Sequence, residues 1–359
     1  MRPTRRVAGA AALWVVLEWY GAASEVAWLF LLAAWVLALL LATAGYAAWN
    51  RAGLRLHLAA PGTRPAAGSP AEELPEQLLR RAPWPTPVFE GDTLELEVGL
   101  DVTGSERGPA WVTGTVAGTS LNFGTGLVPK GGWRQLQLLS GLLRGPVGCH
   151  AHIGTSDPLG FFKSIRSCPD AEVAVVLPLF TSLVDARTPR EVEATVAAPR
   201  AGSGNELFGV REYRAGDSLR RIHWRSSARR GELVVREYEP PGVQRLTLIV
   251  DPAPPTREAA DQVARIAASE AWDCIREGGR VSIGDIHSTG DVWAVLEWLA
   301  RYPDGREDAP RHLAMSGQEV IVTADPSLLD HHAVRRWLVG AAPAPEDVEF
   351  QRVGIEWPL

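Results

Sequence analysis

Four side chains between positions 217 and 237 are of the types that move protons: Asp217, His223, Glu232 and Glu237. Carboxylates and imidazoles serve as general acids and bases, but only when held within hydrogen-bond reach of each other and of a substrate. The spacing here fixes no such geometry, and His223 beside Trp224 reads as a packed or hydrogen-bonded imidazole. Ser203, within Ala201-Gly-Ser-Gly204, and the pair Ser226-Ser227 lie outside any Gly-x-Ser-x-Gly elbow. The same glycine loop lacks the Gly-Lys-Ser/Thr ending of a phosphate cradle. Cys149, Cys168 and Cys274 stand far apart without Cys-x-x-Cys spacing, which indicates neither a zinc site nor a disulfide framework and suits a reducing compartment. The sequence therefore yields no catalytic set and no cofactor.

Charge is the stronger signal. From 211 to 236, Arg211, Arg214, Arg220, Arg221, Arg225, Arg229, Arg230 and Arg236 stand against Glu212, Asp217 and Glu232, a surplus of five positive charges. The planar guanidinium fork grips carboxylates and phosphates bidentately. With Trp224, the cluster is expected to bind an acidic protein or anionic headgroups, or else to pair internally with Glu212, Asp217, Glu237 and Glu239 and lock two domains together. Only Lys130 and Lys163 of the 36 basic residues are lysine, and the chain is rich in Ala, Gly and Pro, so codon bias accounts for part of the arginine count. The net charge of −6 is uneven: residues 1–55 hold five arginines against Glu18 and Glu25, which leaves the remainder at −9. An acidic soluble part argues against general nucleic-acid binding.

The elements that would position these residues follow from hydropathy. Residues 7–24 are apolar except for Glu18, and 26–49 run without a charge, long enough to cross about 30 Å of hydrocarbon. Trp19 and Tyr20 near the turn suit an interface, and arginines flank both outer ends of the pair. A two-pass hairpin in the cell membrane with both termini cytoplasmic is expected over 1–55. The rival reading is a signal peptide, with Arg2, Arg5 and Arg6 before the apolar stretch and Ala22-Ala-Ser24 as the cleavage site. The proline-, glycine- and alanine-rich segment 56–87 predicts a linker.

Alternation of apolar and polar residues over 88–102, 110–117, 133–139 and 147–153 predicts an antiparallel β-sandwich spanning 88–175. Residues 176–240 form an Arg-rich connecting element, with a helix of about three turns capped by Asp217 and ended by Gly231, then a strand over 233–238. In 241–359 strands at 246–251, 280–286, 319–323 and 348–355 alternate with helices at 257–276, 290–301 and 327–339. That is the pattern of a doubly wound α/β domain with a largely parallel sheet.

The run from Arg211 to Glu237 is specific enough to carry a likeness. Its pattern, Arg-Glu-Tyr-x-x-Gly-Asp-x-x-Arg-x-Ile-x-Trp-x-x-Ser-Ala-Arg-x-Gly-x-Leu-x-Val-Arg-Glu, resembles the signature of the bacterial domain of unknown function 58 family. Tyr213, Gly216, Asp217, His223, Gly231 and Glu237 are its structural positions here. Leu143-Arg-Gly145, Ser156-Asp-Pro-Leu-Gly160 and the hairpin also match that family's layout. The resemblance implies a von Willebrand factor A-like C-terminal part and a setting with MoxR-type AAA+ ATPases and transglutaminase-like membrane proteins. Metal-binding A domains carry Asp-x-Ser-x-Ser after the first strand, an oxygen shell suited to a hard divalent ion. Here the segment is Asp251-Pro-Ala-Pro-Pro255, so no metal is expected and Asp251 should cap a nearby turn. The expected function is a non-enzymatic membrane adaptor working with a MoxR-type ATPase; the alternatives are an envelope hydrolase using Asp217, His223 and Glu237, and an anionic-lipid-binding protein.

Overall fold

A computed structural model describes residues 1–84, 86–184, 207–212, 227, 233–238, 244–303, 318–331, 333–343 and 347–357, with the backbone alone over 207–212 and 234–238. The chain divides into two compact units, Met1–Val176 and Leu177–Leu359.

The first unit opens with a short strand, β1 (Arg2–Pro3), and two helices, α1 (Arg5–Ser24) and α2 (Ala27–Ala52). Both helices are long and apolar enough to cross a membrane. Little of either is covered by protein, and Leu13, Val16, Trp19, Leu31, Trp35 and Leu41 face outward. Ten strands in all build this unit: after β1 come β2 (Leu54–Arg64), β3 (Val88–Phe89), β4 (Thr93–Val102), β5 (Ala110–Val116) and β6 (Thr119–Thr125). They are followed by β7 (Trp133–Leu139), β8 (Gly145–Ser156), β9 (Phe162–Ser167) and β10 (Ala171–Leu177).

Strands β2, β4 and β7 make one antiparallel sheet. The second has β8 as its spine: β5 pairs along one edge, while β9 and then β10 share the other. The two sheets bury one core. Leu94, Leu96, Val98 and Leu100 point inward from β4, while Val147, Cys149, Ala151 and Ile153 do so from β8. The alternation in sequence thus translates directly into faces, because successive side chains on a strand point opposite ways.

The expected linker at 56–87 requires a correction at its start. Residues 54–64 form β2, registered against β4 from Leu54↔Val102 to Arg64↔Thr93. Leu54, Leu56, Leu58 and Ala60 alternate inward, a signal that the surrounding prolines and glycines mask. Pro61 falls at the register shift between Ala59 and Gly62, where the ladder does not need its missing N–H. Beyond Arg64 the path has no strand until β3; it makes two single helical turns, Pro70–Glu73 and Glu76–Leu79.

The second unit contains a two-stranded hairpin, β11 (Leu207–Glu212) with β12 (Val234–Tyr238), and a six-stranded sheet. The sheet and its helices run β13 (Arg245–Val250), α3 (Arg257–Arg276), β14 (Arg280–Ile283), β15 (Ile286–Thr289), α4 (Val292–Arg301), β16 (Gln318–Thr323), β17 (Arg335–Val339) and β18 (Gln351–Val353). The spatial order is β15-β14-β13-β16-β17-β18, parallel throughout except for the antiparallel edge strand β15. Strand order reverses between β13 and β16, the switch point at which open α/β sheets form their crevice.

Helix α3 starts where Thr256 accepts from the Ala259 N–H and stops before Gly278, whose φ is +81°. Ala259, Val263, Ile266 and Ala267, expected on one face, are all buried. Among the described residues α3 and α4 pack on each other beside the sheet.

The helix expected at 327–339 is not there. A 3₁₀ turn, Pro326–Asp330, is followed by strand β17, paired in parallel between β16 and β18. Val334-Arg-Arg-Trp-Leu-Val339 favours a strand through its β-branched and aromatic residues. Arg335 disguises it, since a charge at an inward position of a buried strand reads as the polar side of a helix. The strand expected at 280–286 likewise proves to be β14 turning at Gly284, φ +54°, into β15.

Candidate functional site

The Arg-rich signature sits on the β11–β12 hairpin and the segment that joins its strands. In the register Val210 pairs with Arg236, Arg211 with Val235 and Gly209 with Glu237. Tyr213, Arg214, Gly216, Asp217, Arg220, Arg221, His223, Trp224, Arg225, Arg229, Arg230 and Gly231 lie outside the described residues, as does the expected three-turn helix. Ser227, the described residue within that stretch, is helical and buried.

Asp251 stands at the carboxyl end of β13, beside the switch point, and is 2% exposed. Its Oδ1 accepts from the Ala253 N–H at 2.9 Å. Its Oδ2 accepts from the Thr323 hydroxyl and from the Ala324 and Asp325 N–H groups at 3.0–3.2 Å. Tyr302 donates its hydroxyl to the Asp251 carbonyl. Four donors approach this carboxylate, three on Oδ2 and one on Oδ1. Asp251 therefore caps the turn after β16, and that turn takes up its Oδ2. With Ala253 and Pro255 at the flanking positions, the residues present do not fit the oxygen shell of an A-domain metal site.

Next to it, Asp325 caps the 3₁₀ turn, accepting from the Ser327 N–H at 2.9 Å and the Ser327 hydroxyl at 2.8 Å. These bonds hold its carboxyl below the usual carboxylate range. Among the described residues no group of three His, Cys, Asp or Glu side chains is arranged to hold a metal.

Deeper in this unit Glu270 of α3, fully buried, receives Arg335 Nε at 3.0 Å and Nη2 at 2.6 Å, and Trp337 Nε1 at 2.9 Å. The bidentate pair ties α3 to β17. Asp273, also buried, accepts from the Ser182 hydroxyl, the Leu183 N–H and Arg276. These are architectural contacts.

In the first unit the end of α2 is fastened to the sheets. Asn50, with no exposed surface, donates to the carbonyls of Pro109 and Ser156 and accepts from the Gly108 N–H at 3.0 Å. Tyr46 donates to the Gly108 carbonyl. The Arg107 guanidinium lies 3.4 Å from the centre of the Trp49 ring and donates to the Trp49 carbonyl, a cation–π contact made stronger by desolvation. A Cβ at Gly53 would meet the Arg107 Nε at 2.5 Å, so a larger residue there would push the guanidinium aside. At the start of α1, Thr4 and Arg6 donate to the carbonyls of Gly160 and Leu159. Asn50 and Arg107 escape sequence reading; a neutral amide closing an otherwise apolar helix is the one signal that points to such a joint.

Cys149 and Cys168 are not poised to react. Burial, then the charges of Cys168 and Asp170, pushes the Cys149 thiol up; burial also raises Cys168, with Arg166 opposing. A nucleophilic cysteine needs the reverse shift.

Residues 209–291 match the family model described as "Protein of unknown function DUF58". This segment is thus similar to DUF58 proteins. The match opens in β11 and closes at Asp291, the N-cap of α4, so the matched segment takes in the hairpin signature, Asp251 and all of α3. The chain is also 23% identical over 190 residues to the "Uncharacterized protein YeaD" of Bacillus subtilis (strain 168), across 51% of this chain and 46% of that protein. The matched stretch thus spans about half of that relative. No solved structure matches the chain.

Proposed function

We propose that this protein is a membrane-anchored, non-enzymatic adaptor. In this reading α1 and α2 span the cell membrane with both ends in the cytoplasm, and the two sheets form a β-sandwich on that side. The C-terminal unit is a metal-free von Willebrand A-like domain, and the Arg211–Arg236 element offers a basic docking site to an acidic partner, a MoxR-type ATPase. One observation carries the proposal: two long apolar helices with uncovered surfaces end in a rigid polar joint, Asn50 and Tyr46 on the backbone at Gly108. A membrane explains the uncovered surface, because soluble proteins seldom expose apolar patches so large. The β15-β14-β13-β16-β17-β18 order with one antiparallel edge supports the A-like reading. Asp251, engaged in capping a turn, and the raised Cys149 and Cys168 thiols favour an adaptor over an enzyme.

The test is co-purification of the full chain, in detergent, with the MoxR-type ATPase of the same cell. Capture is expected to fall at least tenfold when Arg220, Arg221 and Arg225 are changed to Glu, since reversing three charges at one contact removes several kcal/mol. Undiminished capture by the triple variant removes the docking site.

A further inference from the structure

The hairpin ends in a cleft that the adaptor reading leaves without a role. Met1, Ala48, Arg51, Ala52 and Arg166 line an open cleft of about 420 Å³, a volume within the range of small-ligand sites. Ala48, Arg51 and Ala52 come from the last turn of α2, and Arg166 from β9. Arg166 is aimed by a 2.6 Å hydrogen bond from Nη2 to the Leu54 carbonyl, which leaves most of the five donors of its fork for a ligand. Arg51 is exposed, and among the described residues its guanidinium has no partner.

The surroundings repeat the pattern. Arg2 lies opposite Lys163 in the β1–β9 register, Arg5 opens α1, and Arg55 follows Leu54. None of these four has a side-chain partner among the described residues. The hairpin's two acids, Glu18 and Glu25, lie toward its opposite end. A folded protein that gathers cations without neutralising them keeps them for an external anion or for solvent; a cleft between two of them, floored by alanines, favours the anion.

Its depth selects the source of that anion. A helix of the length of α1 rises about 30 Å, the thickness of bilayer hydrocarbon. Arg5 and Arg51 therefore stand at headgroup level, since α1 and α2 pack as an antiparallel pair. Leu159, 45% exposed, sits at the same level, its carbonyl held by Arg6 at 2.8 Å. Guanidinium groups beside alanine and leucine match a phosphodiester attached to glycerol and acyl chains.

We propose that this cleft binds the phosphate of one anionic phospholipid from the facing leaflet. Arg51 and Arg166 clamp the phosphate oxygens, and Ala48 and Ala52 contact the glycerol. The site rests on the reading of α1 and α2 as membrane spans, and it is separate from the Arg211–Arg236 element.

The experiment titrates the full chain in neutral detergent with phosphatidylglycerol or phosphatidylcholine and reads bound lipid by native mass spectrometry. The first phosphatidylglycerol is expected to bind at least tenfold tighter than phosphatidylcholine. Arg51→Gln, at an exposed and unpartnered position, should weaken it about fivefold. Arg51→Gln with Arg166→Gln should erase the preference, while Arg80→Gln on a surface turn leaves it intact. Equal binding of the two lipids, or an unchanged preference in Arg51→Gln, overturns the proposal. So does glycerol 3-phosphate binding as tightly as the lipid, which would assign the cleft to a soluble phosphate. Carbonate washing of proteoliposomes separates the two readings: a chain that washes off refutes the spans, whereas one that stays without lipid preference refutes the cleft alone.

Discussion

The two units close their buried carboxylates alike and differ in the cations that the first leaves unmatched. In the second, the buried carboxylates Asp251, Glu270 and Asp273 take donors from their own unit: Asp251 from a turn, Glu270 from Arg335 and Trp337, and Asp273 from Ser182 and the Leu183 N–H, as Asp92 and Asp157 do in the first. In the first, the buried amide of Asn50 couples an apolar helix to a sheet, and a set of cations at the same end is left unmatched. A buried charge that is fully paired is architecture, because its neighbours have used the capacity that a ligand would need. A charge left without a partner in a cleft keeps that capacity. By this contrast the interaction chemistry in the described residues belongs to the first unit.

The contrast breaks most visibly at Glu270. Glu270→Ala leaves the Arg335 guanidinium buried and unpaired and should destabilise the second unit by about 3–5 kcal/mol. Glu270→Leu with Arg335→Met should recover most of that loss in urea unfolding of the full chain. Full stability in Glu270→Ala would mean that water reaches the pair and that the carboxylates there are not closed.

Asp251→Ala strips the cap from the 323–325 turn and should cost about 3 kcal/mol, since charged hydrogen bonds are lost and buried N–H groups are orphaned. In the unaltered chain, millimolar Mg²⁺ should leave the unfolding midpoint where it is. A rise with metal would show that Asp251 can release its donors, because binding to the folded state alone raises stability.

At the joint, Asn50→Leu leaves the Gly108 N–H and the Pro109 and Ser156 carbonyls without their amide, at a cost of about 2 kcal/mol. Faster hydrogen exchange at 107–110 should report it, with α1 and α2 still helical. Unchanged exchange would mean that the hairpin is only loosely attached.

The smallest effect is the pH response of the thiols. Since burial raises Cys149 and Cys168 in the folded chain, their contribution to stability is complete below the unfolded thiol value and declines as pH rises from there through the folded value. Alkylation by iodoacetamide should be slow at neutral pH and accelerate only above the ordinary thiol range. Fast labelling at neutral pH would contradict the burial.

Much of the fold was legible from periodicity. The inward alternation of β4 and β8, the span of α3 and its stop at Gly278, and the apolar hairpin all express patterns that a local window contains. The misreadings share one cause. Strand β17 looks helical because Arg335 occupies a core position, and its partner Glu270 is 65 residues away. Strand β2 looks like a linker because its justification is the ladder to β4, not its composition.

The sequence by itself determined the apolar helical pair, the alternating strands, the charge surplus of 211–236 and the loss of hydroxyls after Asp251, because each is a property of neighbouring residues. Only the tertiary structure decided that Asp251 is held by the turn after β16, that Asn50 and Arg107 fasten the apolar pair, and that Arg51 and Arg166 line one cleft. Those depend on which distant groups reach each other, and hydrogen-bond satisfaction is settled by approach in space.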